Sequence, residues 1–356
     1  MIEFTYDKIK KKIWKKIILE FFRLKKMREL YELYTKIHRS YNIPIKNFNR
    51  WIFSHALYSN DNFDPVIPNE STYDELYDIF YNAFEKCNKK ANIEDITNKL
   101  LNKAKEITNE IKNYKIKIKS SKLTYNDNLF VFEYNDDNKW KIKTDPLIIK
   151  HLNDLYNGSQ KIKFLRIFRL IVRYENVEFE RNNQGASPRE IFELLKINGC
   201  QMELFAAPQY SFFKNFCSAY YDTDKHFGSK GTFMNFYPKN GIYQGAPINS
   251  NFFLNSTLKH VIDVLKQAEQ ICFILFLPDW DDLEYLNIID KIDGCYKYVV
   301  PKNIQIYESK KIDGKSHISI VPNSSRIYFI QKNMNLDHKQ IFDDIINIYK
   351  TKITQT

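Results

Sequence analysis

Glycine and proline are scarce, nine and eleven residues in a chain of 356, which excludes collagen-like repeats and long low-complexity linkers. No uninterrupted apolar stretch approaches the roughly 18 residues that cross a bilayer, the best candidate running only from Ile271 to Pro278. The five cysteines, Cys87, Cys200, Cys217, Cys272 and Cys295, are odd in number and never form a Cys-x-x-Cys pair, and the seven histidines give no His-x-His or His-x-x-x-His spacing. That pattern gives no support to a structural zinc or a disulfide framework, and it points to a reducing compartment, cytoplasm or nucleus. Lys8, Lys10, Lys11, Lys12, Lys15 and Lys16 interrupt any apolar segment near the amino terminus, so no signal peptide is expected. What is plentiful is core material: 44% hydrophobic and 15% aromatic residues suit one large domain or two of ordinary size and exclude wholesale disorder. The net charge of +11 favours an anionic partner such as nucleic acid. Heavy use of Lys, Asn, Ile and Tyr also fits translation of an A+T-rich gene, so charge alone does not choose that partner.

The charge is concentrated. Residues 1–40 hold twelve Lys and Arg against five Asp and Glu, and Ile9, Ile13, Trp14, Ile17, Ile18, Phe21, Phe22, Met27, Leu30 and Ile37 recur at helical intervals with the lysines opposite. This predicts an amphipathic helix with a basic face that is either simply solvated or in contact with RNA phosphates. A second helix is expected to open at Ser71, with Asp74 at capping-box spacing, and a third from Ile93 to Asn113. Tyr114 to Lys119 then alternates as a strand does, and Leu129 to Tyr134 and Lys139 to Lys143 flank a polar four-residue turn, a β-hairpin. Residues 1–150 therefore read as a basic helical domain with a small β-meander.

From Pro146 to about Asn176 the pattern is helical and dotted with Arg166, Arg169 and Arg173. Beyond it helices are expected at Ser187 to Asn198, Phe212 to Ala219 and Asn251 to Ala268. Strands are expected at Gln201 to Phe205, Thr232 to Phe236, Ile271 to Leu277, Tyr296 to Val300, His317 to Ile320 and Arg326 to Gln331. That alternation implies an α/β domain with a parallel sheet over 151–340, and residues 341–356 form a terminal helix or tail. Parallel sheets bind ligands at the carboxyl ends of their strands. Three exits there are rich in small or turn-forming residues: Phe205, Ala206, Ala207 and Pro208; Gln244, Gly245, Ala246, Pro247, Ile248 and Asn249; and Leu277, Pro278, Asp279 and Trp280. The Gly228, Ser229, Lys230, Gly231 loop has neither Walker nor GxGxxG spacing, so nucleotide hydrolysis and dinucleotide chemistry find no support.

The segments 183–192 (NQGASPREIF), 203–231 (ELFAAPQYSFFKNFCSAYYDTDKHFGSKG) and 273–280 (FILFLPDW), in this order and spacing, resemble the catalytic core of the phosphorylated-CTD-interacting factor family of cap-specific adenosine N(6)-methyltransferases. The resemblance implies a class I, Rossmann-like methyltransferase domain dependent on S-adenosyl-L-methionine (AdoMet), preceded by a helical domain, and acting on the 6-amino group of the cap-adjacent adenosine of mRNA. It places the cofactor near Gln184, Gly185, Phe205, Ala206 and Pro208, and the adenine near Ala246, Pro247, Ile248 and Asn249, with no metal. A protein partner is also within its scope.

One block departs from the family. Where the family carries Asn-Pro-Pro-Phe, this chain has Ala246, Pro247, Ile248 and Asn249. The 6-amino lone pair of adenine is delocalised into the ring, so acceptors must hold both amine hydrogens, and in the family motif an Asn amide oxygen and a Pro carbonyl do so while the Phe stacks on the base. Here Pro247 keeps its carbonyl, Ala246 offers no acceptor and Asn249 cannot stack. Losing one transition-state hydrogen-bonding group costs about 10² to 10³ in rate, and losing a stacking aromatic costs about 1 to 3 kcal/mol of binding. Two readings follow: a methyltransferase of reduced or lost activity, or a non-catalytic capped-RNA-binding protein or supporting subunit. Gln244, Asn249 or Asn251 would compensate as acceptors, and Phe252 or Tyr243 as stacking partners.

Overall fold

The computed structural model describes residues 2–7, 10–41, 44, 46–58, 63–87, 92–126, 128–135, 138–175, 186–310 and 316–355. The chain divides into two compact units, residues 1–183 with 222–227, and residues 184–221 with 228–356.

In the first unit a short strand β1 (Ile2–Thr5) precedes the long helix α1 (Lys11–Tyr41). Most of the apolar stripe read from the sequence is what α1 buries: Ile13, Trp14, Ile17, Ile18, Phe21, Met27, Leu30 and Ile37 are inside, Phe22 is half-buried, and Ile9 lies outside the described residues. Helices α2 (Lys46–Tyr58), α3 (Tyr73–Cys87) and α4 (Ile93–Asn113) follow. The expected cap at Ser71 is corrected to Asn69, whose Oδ1 accepts from the Ser71 N–H at 2.9 Å and opens a 3₁₀ turn, Glu70–Thr72, ahead of α3. Strands β2 (Ser121–Asn126), β3 (Leu129–Tyr134) and β4 (Asn138–Lys143) complete an antiparallel meander in the order β1-β2-β3-β4.

The hairpin was legible; the strand at Tyr114 to Lys119 is not formed. Those residues have no ladder partner and are fixed by side chains instead: Tyr114 stacks on Phe22 at 3.9 Å, and the Asn135 amide oxygen accepts from Lys119 N at 2.7 Å. The helical reading from Pro146 onward is also corrected, because the stretch is two helices, α5 (Pro146–Leu155) and α6 (Lys163–Glu175). Phe21 sits against Phe132, Trp140 and Phe168 at ring distances of 4.9, 4.5 and 5.9 Å, joining α1, the meander and α6 in one aromatic core.

The same unit holds a cluster of six ionised groups, five of them buried (Glu20, Arg23, Asp64, Arg169 and Arg173) and Asp222 half-buried at its edge. Glu20 accepts from Arg173 Nη2 at 2.7 Å, Arg173 Nε at 2.8 Å and Arg169 Nε at 3.1 Å, and Arg23 Nη1 lies 3.2 Å away. Arg23 Nε donates to Asp64 at 2.9 Å, and Asp222 pairs with Arg173 at 2.7 Å and with Arg169. Burial by itself pushes the Glu20 carboxyl up, but Arg173, Arg23 and Arg169 more than reverse it and hold it at about 2.

The second unit holds α7 (Arg189–Ile197), β5 (Cys200–Glu203), a one-turn helix α8 (Tyr221–Asp224) that mostly belongs to the first unit, β6 (Asn240–Gly245), α9 (Asn251–Gln267) and β7 (Gln270–Pro278). After these come α10 (Leu286–Ile289), β8 (Cys295–Val300), β9 (Ile306–Lys310), β10 (Ser316–Ile320), β11 (Ser325–Lys332) and α11 (His338–Thr354). The sheet order is β5-β6-β7-β11-β8, and β9 pairs with β10 separately. Strands β5, β6 and β7 are parallel, whereas β11 runs antiparallel to both β7 and β8, so the expected parallel sheet is corrected to a mixed one.

The continuous apolar run of β7 reflects burial on both faces. Phe273, Leu275 and Leu277 pack with Leu254, Leu258 and Val261 of α9, while Cys272, Ile274 and Phe276 pack with Ile191 and Leu195 of α7 and Ile341 and Ile345 of α11. Among the described residues no helix is long and apolar enough to cross a membrane.

Removing one member of the buried ionic group strands the others. Arg173→Met is expected to lower stability by about 3 kcal/mol, the scale for breaking a buried pair, in a denaturant titration. Glu20 binds fewer protons folded than unfolded, so its contribution is full above its ordinary value near 4.5 and is lost as pH falls towards about 2. Glu20→Gln is expected to flatten the stability profile across that interval.

Candidate functional site at the strand exits of the second unit

Register brings the exits of the three parallel strands side by side. Glu203 of β5 lies opposite Gln244 of β6, and Gln244 lies opposite Ile274 of β7. The Leu204 N–H extends the first pairing by donating to the Gln244 carbonyl at 2.8 Å. Phe205, Ala206 and Pro208 therefore leave the sheet next to Ala246, Pro247, Ile248 and Asn249. Gln184 and Gly185, also expected near the cofactor, lie outside the described residues.

The segment after β5 is shaped by one buried carboxylate. Glu203 Oε2 accepts from the Phe212 and Phe213 N–H groups at 2.7 and 3.1 Å, and its carbonyl accepts from Cys217 N at 2.8 Å. Ala206 N donates to the Cys217 carbonyl at 2.9 Å, closing the loop on itself. The helix expected at Phe212 to Ala219 is absent because its later backbone groups pair outside the segment: Cys217 N with the Glu203 carbonyl, the Cys217 carbonyl with Ala206 N, Ser218 N with the Gly231 carbonyl and the Phe216 carbonyl with Lys230 N. Burial pushes the Glu203 carboxyl up to about 7 even though two N–H groups oppose the shift. Nothing in the sequence singled Glu203 out beyond its place before Phe205. Among the described residues the buried Gln209 Oε1 and Ser211 Oγ, in the same loop, have no hydrogen-bond partner.

The glycine loop at 228–231 is a structural closure. Gly228 has φ +106°, and a Cβ there would stand 1.9 Å from the Lys214 carbonyl oxygen. Ser229 Oγ bonds Ser218 Oγ at 2.7 Å, and Lys230 N donates to the Phe216 carbonyl at 2.8 Å. The strand expected at Thr232 to Phe236 is a 3₁₀ turn, Phe233–Asn235, and the strand itself forms at Asn240–Gly245.

After β6, Pro247 is buried, Ala246 and Ile248 are half-buried and Asn249 is exposed. Gly245 serves the core: an added Cβ would come within 2.9 Å of Leu275 Cδ2 and 3.4 Å of Phe205 Cε2. Ser250 caps α9, its Oγ accepting from Phe253 N at 3.1 Å, and Phe253 meets Phe205 edge-on at 5.5 Å.

Of the residues that would compensate for Ala246, Tyr243 is committed elsewhere. Its hydroxyl donates to the Asn240 carbonyl at 2.7 Å and its ring packs against Phe236. Asn251 Nδ2 donates to Asp282 at 3.0 Å. Asp279, at the β7 exit, is held by Ser324 Oγ and Arg326 Nε, each at 2.5 Å, and so ties β7 to the start of β11. Among the described residues no group of three His, Cys, Asp or Glu side chains is arranged to hold a metal ion.

Because Glu203 holds its proton more tightly folded than unfolded, its contribution is full below about pH 4.5 and declines as pH rises towards about 7. Thermal melts across that range should show the decline in the native protein and not in Glu203→Gln. Gly228→Ala is expected to cost well over 1 kcal/mol, since strain at positive φ adds to a backbone clash; chemical denaturation measures it.

Residues 150–308 match the family described as the phosphorylated CTD interacting factor 1 WW domain. Over 99 residues the chain is 35% identical to the mouse protein named mRNA (2'-O-methyladenosine-N(6)-)-methyltransferase and 34% identical to the human protein of that name. Each match covers 27% of this chain and 14% of the relative. The sequence motifs and these matches agree: residues 150–308 are similar to the phosphorylated CTD interacting factor 1 WW domain family, and the matched stretch spans about a seventh of the length of the relatives.

Proposed function

We propose that residues 151–340 form a class I methyltransferase domain that binds AdoMet and the cap-adjacent adenosine of an mRNA, and that methyl transfer to the adenine 6-amino group is strongly reduced. The observation that carries the reading is the parallel pairing of β5 with β6, Glu203 opposite Gln244, from which the Phe205 to Pro208 and Ala246 to Asn249 segments leave at adjacent strand ends, the ligand edge of such a sheet.

The cofactor fits the first exit. Gln209 Oε1 and Ser211 Oγ are buried polar atoms with no hydrogen-bond partner among the described residues, and Ala206 and Ala207 leave room beside the backbone. Phe205, Ala206 and Pro208, with Gln184 and Gly185, are the residues proposed to hold AdoMet. When bound, AdoMet supplies an electrophilic methyl group on a sulfonium.

What this chain's residues do at the second exit sets the rate. The Pro247 carbonyl accepts one hydrogen of the adenine amine. Ala246 provides no second acceptor, and Asn249 presents an exposed amide where a base needs a flat apolar surface. A missing acceptor accounts for about two to three decades of rate. The alternative, a non-catalytic capped-RNA-binding protein that supports an active partner, is favoured by this same Ala246.

Calorimetric titration with AdoMet is expected to give saturable heat, and its absence would sink the cofactor reading. Mass spectrometry of nucleosides from a capped, A-starting RNA incubated with protein and AdoMet is expected to give slow transfer that Ala246→Asn raises by about 10- to 100-fold. No transfer from either protein, with RNA still bound, would select the non-catalytic alternative.

A further inference from the structure

One turn from the buried ionic group, the first unit gathers cations that enter no ion pair among the described residues. Helices α1 and α6 run side by side in the same direction, since Lys16 lies within the field of Arg166 and Arg169, Glu20 meets Arg169 and Arg173, and Arg23 lies within the field of Arg173. One turn earlier on each helix stand Lys16 and Arg166, with Lys12 a further turn back on α1. His226 joins them, its backbone carbonyl accepting from Asn157 N at 2.7 Å.

Charge repulsion is felt across the group. Burial and then Arg169 and Arg166 lower the affinity of Lys16 for its proton, burial and then Arg169 do the same to Arg166, and burial followed by Arg166, Lys225, Arg169 and Lys16 hold His226 down at about 4. Asp222 is the carboxylate whose field reaches both Lys16 and Arg166, and its oxygens are already engaged by Arg169 and Arg173. Among the described residues Lys12, Lys16 and Arg166 enter no ion pair, and the buried Arg166 Nε and His226 Nε2 have no hydrogen-bond partner.

We propose that Lys12, Lys16 and Arg166, with His226 beside them, hold consecutive phosphates of a single-stranded RNA. The group is a line of cations along two helices, and the fork of a guanidinium matches the paired oxygens of a phosphodiester. An acidic membrane surface fits less well. Between Lys11 and Lys16 the apolar residues Ile13 and Trp14 are buried, so this face offers charge without the apolar anchor that interfacial helices insert. The proposal rests on the reading that this protein binds RNA, and it assigns that binding to side chains away from the strand exits.

Fluorescence anisotropy of the full chain with a labelled, capped, A-starting RNA tests it. The logarithm of affinity should fall linearly with the logarithm of salt concentration, and Lys12→Ala, Lys16→Ala and Arg166→Ala together should reduce that slope by about 2, at roughly 0.7 per lost phosphate contact. Between about 50 and 200 mM salt, the native protein should therefore lose about 16-fold more affinity than the triple variant. Lys12→Ala alone, at an exposed position, should reduce the slope by about 0.7 without disturbing the fold, and Lys16→Arg with Arg166→Lys should keep the native slope.

Unchanged slopes with tight RNA binding by all proteins would overturn the assignment and leave the proposed function standing. No salt-dependent RNA binding by the native protein, with AdoMet heat retained, would overturn both the assignment and the RNA substrate. Loss of binding to phosphatidylserine vesicles in the variants, with RNA binding intact, would give the site to a membrane instead.

Discussion

A carboxylate with no access to water is the constraint around which the first unit is organised. Glu20 lies within α1 on a buried stripe that, Arg23 apart, is otherwise made of Ile, Trp, Phe, Leu, Met and Tyr, and a bare charge there would cost several kcal/mol. Arg23, Arg169 and Arg173 converge on it, and Asp64 and Asp222 then balance the guanidiniums, three negative groups against three positive. Asp64 does more than neutralise: its second oxygen accepts from the Val66 and Ile67 N–H groups at 3.0 and 3.2 Å and so fixes the turn that leads towards α3. Because the six groups come from four stretches of chain, α1, the turn at Asp64, α6 and the one-turn helix at Asp222, the ions specify which segments meet, whereas the aromatic core around Phe21 accounts for how firmly they hold.

In the second unit the same economy appears at the end of a strand. Glu203 is buried with nothing positive beside it, so the backbone N–H groups of Phe212 and Phe213 take over and draw the following segment into a loop. That loop keeps Phe205 and Ala206 at the edge of the sheet. The neighbouring exit depends on the absence of a side chain at Gly245, into whose space Leu275 and Phe205 project. Two unrelated devices, a solvated-looking residue turned inward and a missing methyl group, thus put the two motif segments next to each other.

How much of this was legible in the sequence follows from the range of the forces involved. Helix α4 and strand β7 were placed to within a residue, because helical spacing and a continuous apolar run are local records of burial. The stretches at Tyr114 to Lys119 and Phe212 to Ala219 were misread because their geometry is set by distant partners: Asn135 and Phe22 for the first, Glu203 for the second. The antiparallel strand inserted between β7 and β8 was equally invisible, since alternation reveals a strand and not its direction. At the site, the motif segments were found from their small residues and their order, but Glu203, Gln209 and Ser211 carried no signal of their own. The mixed α/β architecture agrees with a methyltransferase-like domain.

The first unit is discontinuous along the chain, since residues 222–227 complete it. Arg173 and Asp222 are 49 positions apart, and at about 5 to 20 residues per second of synthesis the arginine emerges roughly 2 to 10 seconds before its second carboxylate. During that interval the nascent helix pair holds more positive than negative charge in its interior, and final closure must await the ribosome. The order of translation is thereby written into which acid each guanidinium meets first: Glu20, made long before, and Asp222 only afterwards.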